Sequence, residues 1–107
     1  MRTFAIASWP LLVIALVAIC SLPELGLTDQ ILARGDTFGY FYPYWDARNL
    51  ALQAGQLPLW TNSLFMGAPL LGNPQLGTFY IPNWLTIGLV APDAIRLSVL
   101  LHVFWAG

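Results

Sequence analysis

The chain has 107 residues, of which 58% are apolar and only 8% charged, with a net charge of −1. Soluble domains carry charge on about a quarter of their residues, so this composition argues against a fully water-exposed globule. The near balance of charge leaves no basic patch to hold nucleic acid, and the single Cys20 excludes an internal disulfide or a cysteine metal cluster.

From the N-terminus, no charged residue occurs between Thr3 and Pro23. The nineteen residues Phe4–Leu22 would reach about 28 Å as a helix, close to a bilayer's hydrocarbon thickness. This pattern predicts a transmembrane helix over 1–22 with a short cytoplasmic start. A signal peptide is the rival reading, because Arg2 supplies a positive n-region. Pro10 lies in the first turns, where a missing amide costs least. Arg2 before the span and Glu24 after it predict a cytoplasmic N-terminus and an outer loop over 23–91.

Within that loop, Thr28 reads as a local cap and Gly35-Asp36 as a turn. A short helix is expected over Pro43–Ala54, lying along the membrane surface and ending at Gly55. Ala47, Leu50, Ala51 and Ala54 form an apolar stripe, while Asp46, Asn49 and Gln53 share a polar face. From Gly55 to Pro82 the chain is dense in Pro, Gly, Asn and Trp, which excludes a long helix or a regular sheet. It is also too rich in Leu, Phe, Tyr and Trp for a flexible linker, so an ordered, irregular segment through Phe79 is expected. Pro92-Asp93 marks a helix start. The apolar run from Ala94 reads as a second span, at 92–107, that is cut off. The expected fold class is therefore an all-α membrane protein: one transmembrane helix, an extracytoplasmic loop with interfacial helices, and the start of a second span.

Candidate site residues lie in the loop. Asp36, among Phe38, Tyr40, Phe41 and Tyr42, reads either as a turn residue or as a carboxylate in an apolar setting, able to take a proton or hold a divalent ion. Asp46 is the second carboxylate; if the two converge they suit Mg²⁺ or Mn²⁺. Trp60 offers a stacking surface or a membrane anchor. Asn62, Asn73 and Gln75 offer amides for sugar hydroxyls or for turn formation.

The series Gly35-Asp36, Phe41-Tyr42-Pro43 and Gly55-Gln56-Leu57-Pro58-Leu59-Trp60-Thr61-Asn62 resembles the start of the YfhO-like family of bacterial multi-spanning membrane proteins. So does the continuation Gly67-Ala68-Pro69-Leu70-Leu71-Gly72-Asn73-Pro74-Gln75, with Phe79-Tyr80-Ile81-Pro82-Asn83-Trp84-Leu85 and Leu101-His102 to Gly107 after it. The resemblance implies the N-terminal part of a GT-C type glycosyltransferase in the bacterial plasma membrane, its first loop extracytoplasmic. Such an enzyme would move a sugar from a polyprenyl-phosphate donor, with Asp36 as the matching acid and Asp46 a weaker match. The implied partners are membrane lipid, the lipid-linked sugar and further transmembrane helices. The alternative class is a non-catalytic membrane component in transport, assembly or cell-surface polymer binding.

Overall fold

The computed structural model describes residues 2–107, with side chains described from Ser8 onward. It forms two compact units, Met1–Gln30 with Val99–Gly107, and Ile31–Ser98.

The first unit holds α1 (Arg2–Ser21) and α2 (Pro23–Gly26). Ser21 Oγ donates to the Val17 carbonyl at 2.7 Å, and Pro23 starts the next turn. The backbone turns tightly there, with Leu22 O accepting from Leu25 N and Gly26 N at 3.0 and 2.9 Å. A Cβ at Gly26 would lie 2.8 Å from Ile19 Cγ2 and 3.2 Å from the Ile19 carbonyl oxygen. Only glycine allows α2 to return this closely onto α1.

In the second unit, α3 (Tyr42–Gln53) is the central element. A π-helical turn at Thr37–Phe41 leads into it, and Tyr40 stacks on Tyr44 with ring centroids 4.5 Å apart. Its C-terminus is a Schellman motif. Gly55 N bonds Leu52 O at 3.0 Å, Gln56 N bonds Ala51 O at 2.9 Å, and Gly55 takes φ +70°. The helix expected over Pro43–Ala54 is thus present and stops where glycine permits the left-handed cap.

Its burial does not follow the expected stripe, however. Leu50 of the expected apolar stripe is 65% exposed, whereas Arg48 and Asn49 are each 1% exposed. The cause is what α3 packs against. Beyond the two-residue antiparallel ladder of β1 (Trp60–Thr61) and β2 (Ala68–Pro69), residues 70–90 contain only two 3₁₀ turns, Pro74–Leu76 and Ile81–Thr86. Buried irregular backbone leaves carbonyls that need donors, and α3 supplies them. Arg48 donates to Leu76 O and, at 3.4 Å, to Thr86 Oγ1. Asn49 Nδ2 donates to Thr86 O and Leu89 O, both at 3.0 Å, and Gln53 Nε2 to Ile87 O at 2.5 Å. Around these bonds Leu70, Leu76 and Pro58 complete a small core.

α4 (Ala91–Ala106) begins at the proline–aspartate signal, with Asp93 in its first turn. Its sixteen residues reach about 24 Å and include Asp93, Arg96 and His102. Over the residues described it does not have the length of a span.

The all-α membrane fold class is therefore corrected on two counts. The helices are joined by a small β-ladder, and among the described residues no helix is long and apolar enough to cross a membrane. The side chains of Phe4–Ala7, the first part of the expected span, lie outside the described residues; the remainder, Ser8–Ser21, extends about 21 Å and contains Pro10. Without a spanning helix among the described residues, the multi-pass plasma-membrane location and the partnerships with bilayer lipid and further transmembrane helices lose their basis.

Candidate functional site

The outward side of α3 carries Asp46 and Leu50, and two clefts open on it. The first, about 360 Å³, is lined by Pro43, Asp46, Ala47 and Leu50 from α3 and by Trp60, Thr61, Ser63, Leu64 and Leu70 from the β1–β2 hairpin. The second, about 330 Å³, is lined by Asp46, Asn49, Leu50, Gln53, Gly88, Leu89 and Val90. Both are at the lower end of the volumes that hold small molecules.

Asp46 joins them. One carboxylate oxygen, Oδ1, accepts the Ala91 N–H at 2.7 Å, holding the start of α4 against α3. A negative charge at the positive end of that helix is favourable, which fixes the carboxylate. Its other oxygen has no protein hydrogen-bond donor among the described residues.

Trp60 is the second fixed element. It is 59% exposed, yet its indole N–H donates to Asn62 Oδ1 at 3.0 Å. The ring also rests on the Gly67 backbone: a Cβ there would lie 2.8 Å from Cζ2 and 3.0 Å from Nε1. Gly67 has φ +126°, a region few other residues adopt. The preceding Phe65 and Met66 are both left-handed, at φ 49° and 63°. For large side chains this is strained, and such strain clusters at ligand clamps and switch regions. The hairpin tip is tied down by Gly67 N to Leu64 O at 2.7 Å and by Phe65 lying 6.4 Å from the Tyr44 ring.

Asn62 therefore serves Trp60 and does not line either cleft. Asn73 caps the first 3₁₀ turn by accepting from Gln75 N at 3.1 Å, and donates to Tyr40 Oη at 2.6 Å. Gln75 is exposed on that turn. Asp36 is exposed at the start of the π-helical turn, caps nothing with its side chain and lines neither cleft. Among the described residues no group of three or more His, Cys, Asp or Glu is placed to hold a metal ion.

Sequence reasoning passed over Arg48. Its guanidinium stacks over Trp45 at 4.1 Å, its Nε and Nη2 donate to Asn49 Oδ1 at 3.0 and 2.8 Å, and no carboxylate pairs with it among the described residues. Burial lowers its pKa to about 10, so it remains a cation at neutral pH. The cation–π contact and the carbonyl acceptors replace a counter-ion. The one sequence signal available was a lone arginine in a short, aromatic-rich helix.

No protein-family model, curated protein or solved structure matches this chain. The resemblance to the YfhO-like family is not sustained: no family model supports it, and among the described residues no helix is long and apolar enough for a multi-spanning protein. The integral-membrane glycosyltransferase reading and the non-catalytic membrane-component reading fall with it. Both require a bilayer-embedded frame, and no described helix can supply one.

Proposed function

We propose that the unit Ile31–Ser98 binds a small hydroxyl-rich ligand of the sugar class in the cleft over α3. The observation that carries this is the pairing of a pre-oriented indole, Trp60, with a pre-oriented carboxylate, Asp46, in one cleft beside the Thr61 and Ser63 residues. A sugar ring has an apolar C–H face and a rim of hydroxyl donors. The indole suits the face, and the unshared carboxylate oxygen of Asp46 suits a donor on the rim. Both groups are fixed by the protein before any ligand arrives, which reduces the ordering cost of binding. Asp46 is also the carboxylate from which any proton transfer at a bound hydroxyl would start.

The test is titration of the full chain with glucose, galactose, mannose and N-acetylglucosamine, read by Trp fluorescence and by NMR shifts of the Trp60 indole N–H. At least one should bind and move that signal, and Trp60→Ala should weaken it about tenfold or more. Saturating concentrations of all four without any shift would remove the sugar reading. Asp46→Asn separates acceptor strength from shape, because the amide still offers an oxygen to Ala91 N–H.

A further inference from the structure

We infer that the ligand is not a single ring but a chain of at least two linked sugar units, laid across Leu50 with one unit in each cleft. This rests on the sugar reading above and adds the size and direction of the ligand. Three observations carry it. First, the two clefts share Asp46 and Leu50, so they are neighbours on one surface of α3 and not separate sites. Second, the divider is apolar: Leu50 stands 65% exposed, and such a side chain accommodates the C–H groups flanking a glycosidic bond. Third, Asp46 belongs to both clefts and keeps one oxygen without a protein donor, so it can receive a hydroxyl next to the linkage.

The second cleft also has its own recognition chemistry. Gln53 Nε2 is committed to Ile87 O at 2.5 Å, which orients the amide and leaves its Oε1 as an acceptor. Asn49 cannot take that role, because its two N–H groups and its oxygen are already used by Thr86, Leu89 and Arg48. Leu89 and Val90 form the apolar wall. Each cleft alone is small for a ligand of two rings, while the pair in sequence is not.

Gly88 provides a clean test. A Cβ built there meets nothing within 4 Å, and the backbone has no positive φ, so a side chain can be added without strain. Gly88 lines the second cleft, so Gly88→Phe is expected to narrow it while leaving the hairpin and Trp60 untouched. The measurement is the affinity ratio of disaccharide to monosaccharide, using glucose with cellobiose and maltose, and N-acetylglucosamine with chitobiose, by calorimetry on the full chain. In the wild type one disaccharide should bind about tenfold or more tighter than its monosaccharide, and Gly88→Phe should bring the ratio close to one at an unchanged Tm. Gly88→Ala, which adds only a methyl, should keep most of the gain. Equal affinity for monosaccharide and disaccharide in the wild type, or a gain that survives Gly88→Phe in a folded variant, overturns the two-unit ligand while leaving the single-ring reading standing. Absence of binding by all of these sugars overturns both.

Discussion

The buried and outward sides of α3 obey opposite rules. On the buried side a cation and an amide, Arg48 and Asn49, are each only 1% exposed. On the outward side a leucine projects between two clefts. In most helices the apolar stripe faces inward because it packs on other apolar side chains. Here the helix packs on irregular backbone, and the need is for hydrogen-bond donors. Arg48 and Asn49 therefore go in beside Tyr44 and Trp45, and the outward side is left to shape a surface. The contrast teaches that a polar core can organise a segment with almost no ladder, and that the same helix then presents Asp46 outward in a fixed position.

Removing Arg48 tests the buried side most severely. Arg48→Leu keeps bulk but leaves Leu76 O and Thr86 Oγ1 without this donor and removes both bonds to Asn49 Oδ1. The expected cost is about 3 kcal/mol or more, read by urea unfolding of the full chain. Arg48→Lys should recover part of it, since one ammonium retains the cation but cannot span all three acceptors. A neutral or stabilising Arg48→Leu would mean that burying the charge outweighs the bonds it makes, and the comparison between the two sides would fail.

On the outward side, Gly67→Ala should cost about 1–3 kcal/mol, because the position has φ +126° and the new methyl would press on the Trp60 ring. It should also displace Trp60, so ligand binding should fall along with stability. Met66→Gly should do the reverse. Met66 is fully exposed and left-handed, so glycine removes strain without losing packing and should raise stability by about 0.5–1 kcal/mol. Reduced ligand affinity in that more stable variant would show that the strained tip serves the cleft.

How much of this was legible in the sequence varied with the kind of signal. The boundaries of α3 were readable because Pro43 suits a first turn and Gly55 a left-handed cap. The start of α4 was readable from Pro92-Asp93 for the same reason. The burial of α3 was not, because periodicity assumes an apolar neighbour and nothing local announces that Leu76, Thr86 and Leu89 will present carbonyls to it. Nor was the ladder of Trp60-Thr61 with Ala68-Pro69, since two residues have no period. Of the site candidates, Asp46 and Trp60 fall in one cleft and Asn62 positions Trp60, whereas Asp36, which local aromatic content favoured, lies apart from both clefts. The apolar runs that suggested spans met the expected length only by counting the side chains before Ser8, and in α4 they are divided by charge.

A smaller effect sharpens the comparison from the edge of the buried side. Tyr42 is buried, donates to Leu32 O, and has its pKa raised from 10.0 by burial. A raised folded-state pKa contributes stability that is fully present below the unfolded value, about 10, and is lost as pH climbs through the folded value. Tyr42→Phe should cost about 1 kcal/mol at neutral pH through the lost hydrogen bond. It should also flatten the fall in stability above pH 10, measured as Tm against pH. An unaltered alkaline limb would place the proton-linked loss elsewhere.

The most direct measurement of the polar core is the exchange of the arginine side-chain Nε–H protons with solvent, followed by NMR on the wild-type chain. Arg34 is exposed and serves as the internal reference, while Arg48 Nε–H is buried and donates to Asn49 at 3.0 Å. Slow exchange of the Arg48 proton, persisting after the Arg34 signal has broadened away with rising pH, is the expected result. Equal exchange rates for the two arginines would mean that Arg48 reaches solvent and that donors from α3 do not hold the irregular segment in place.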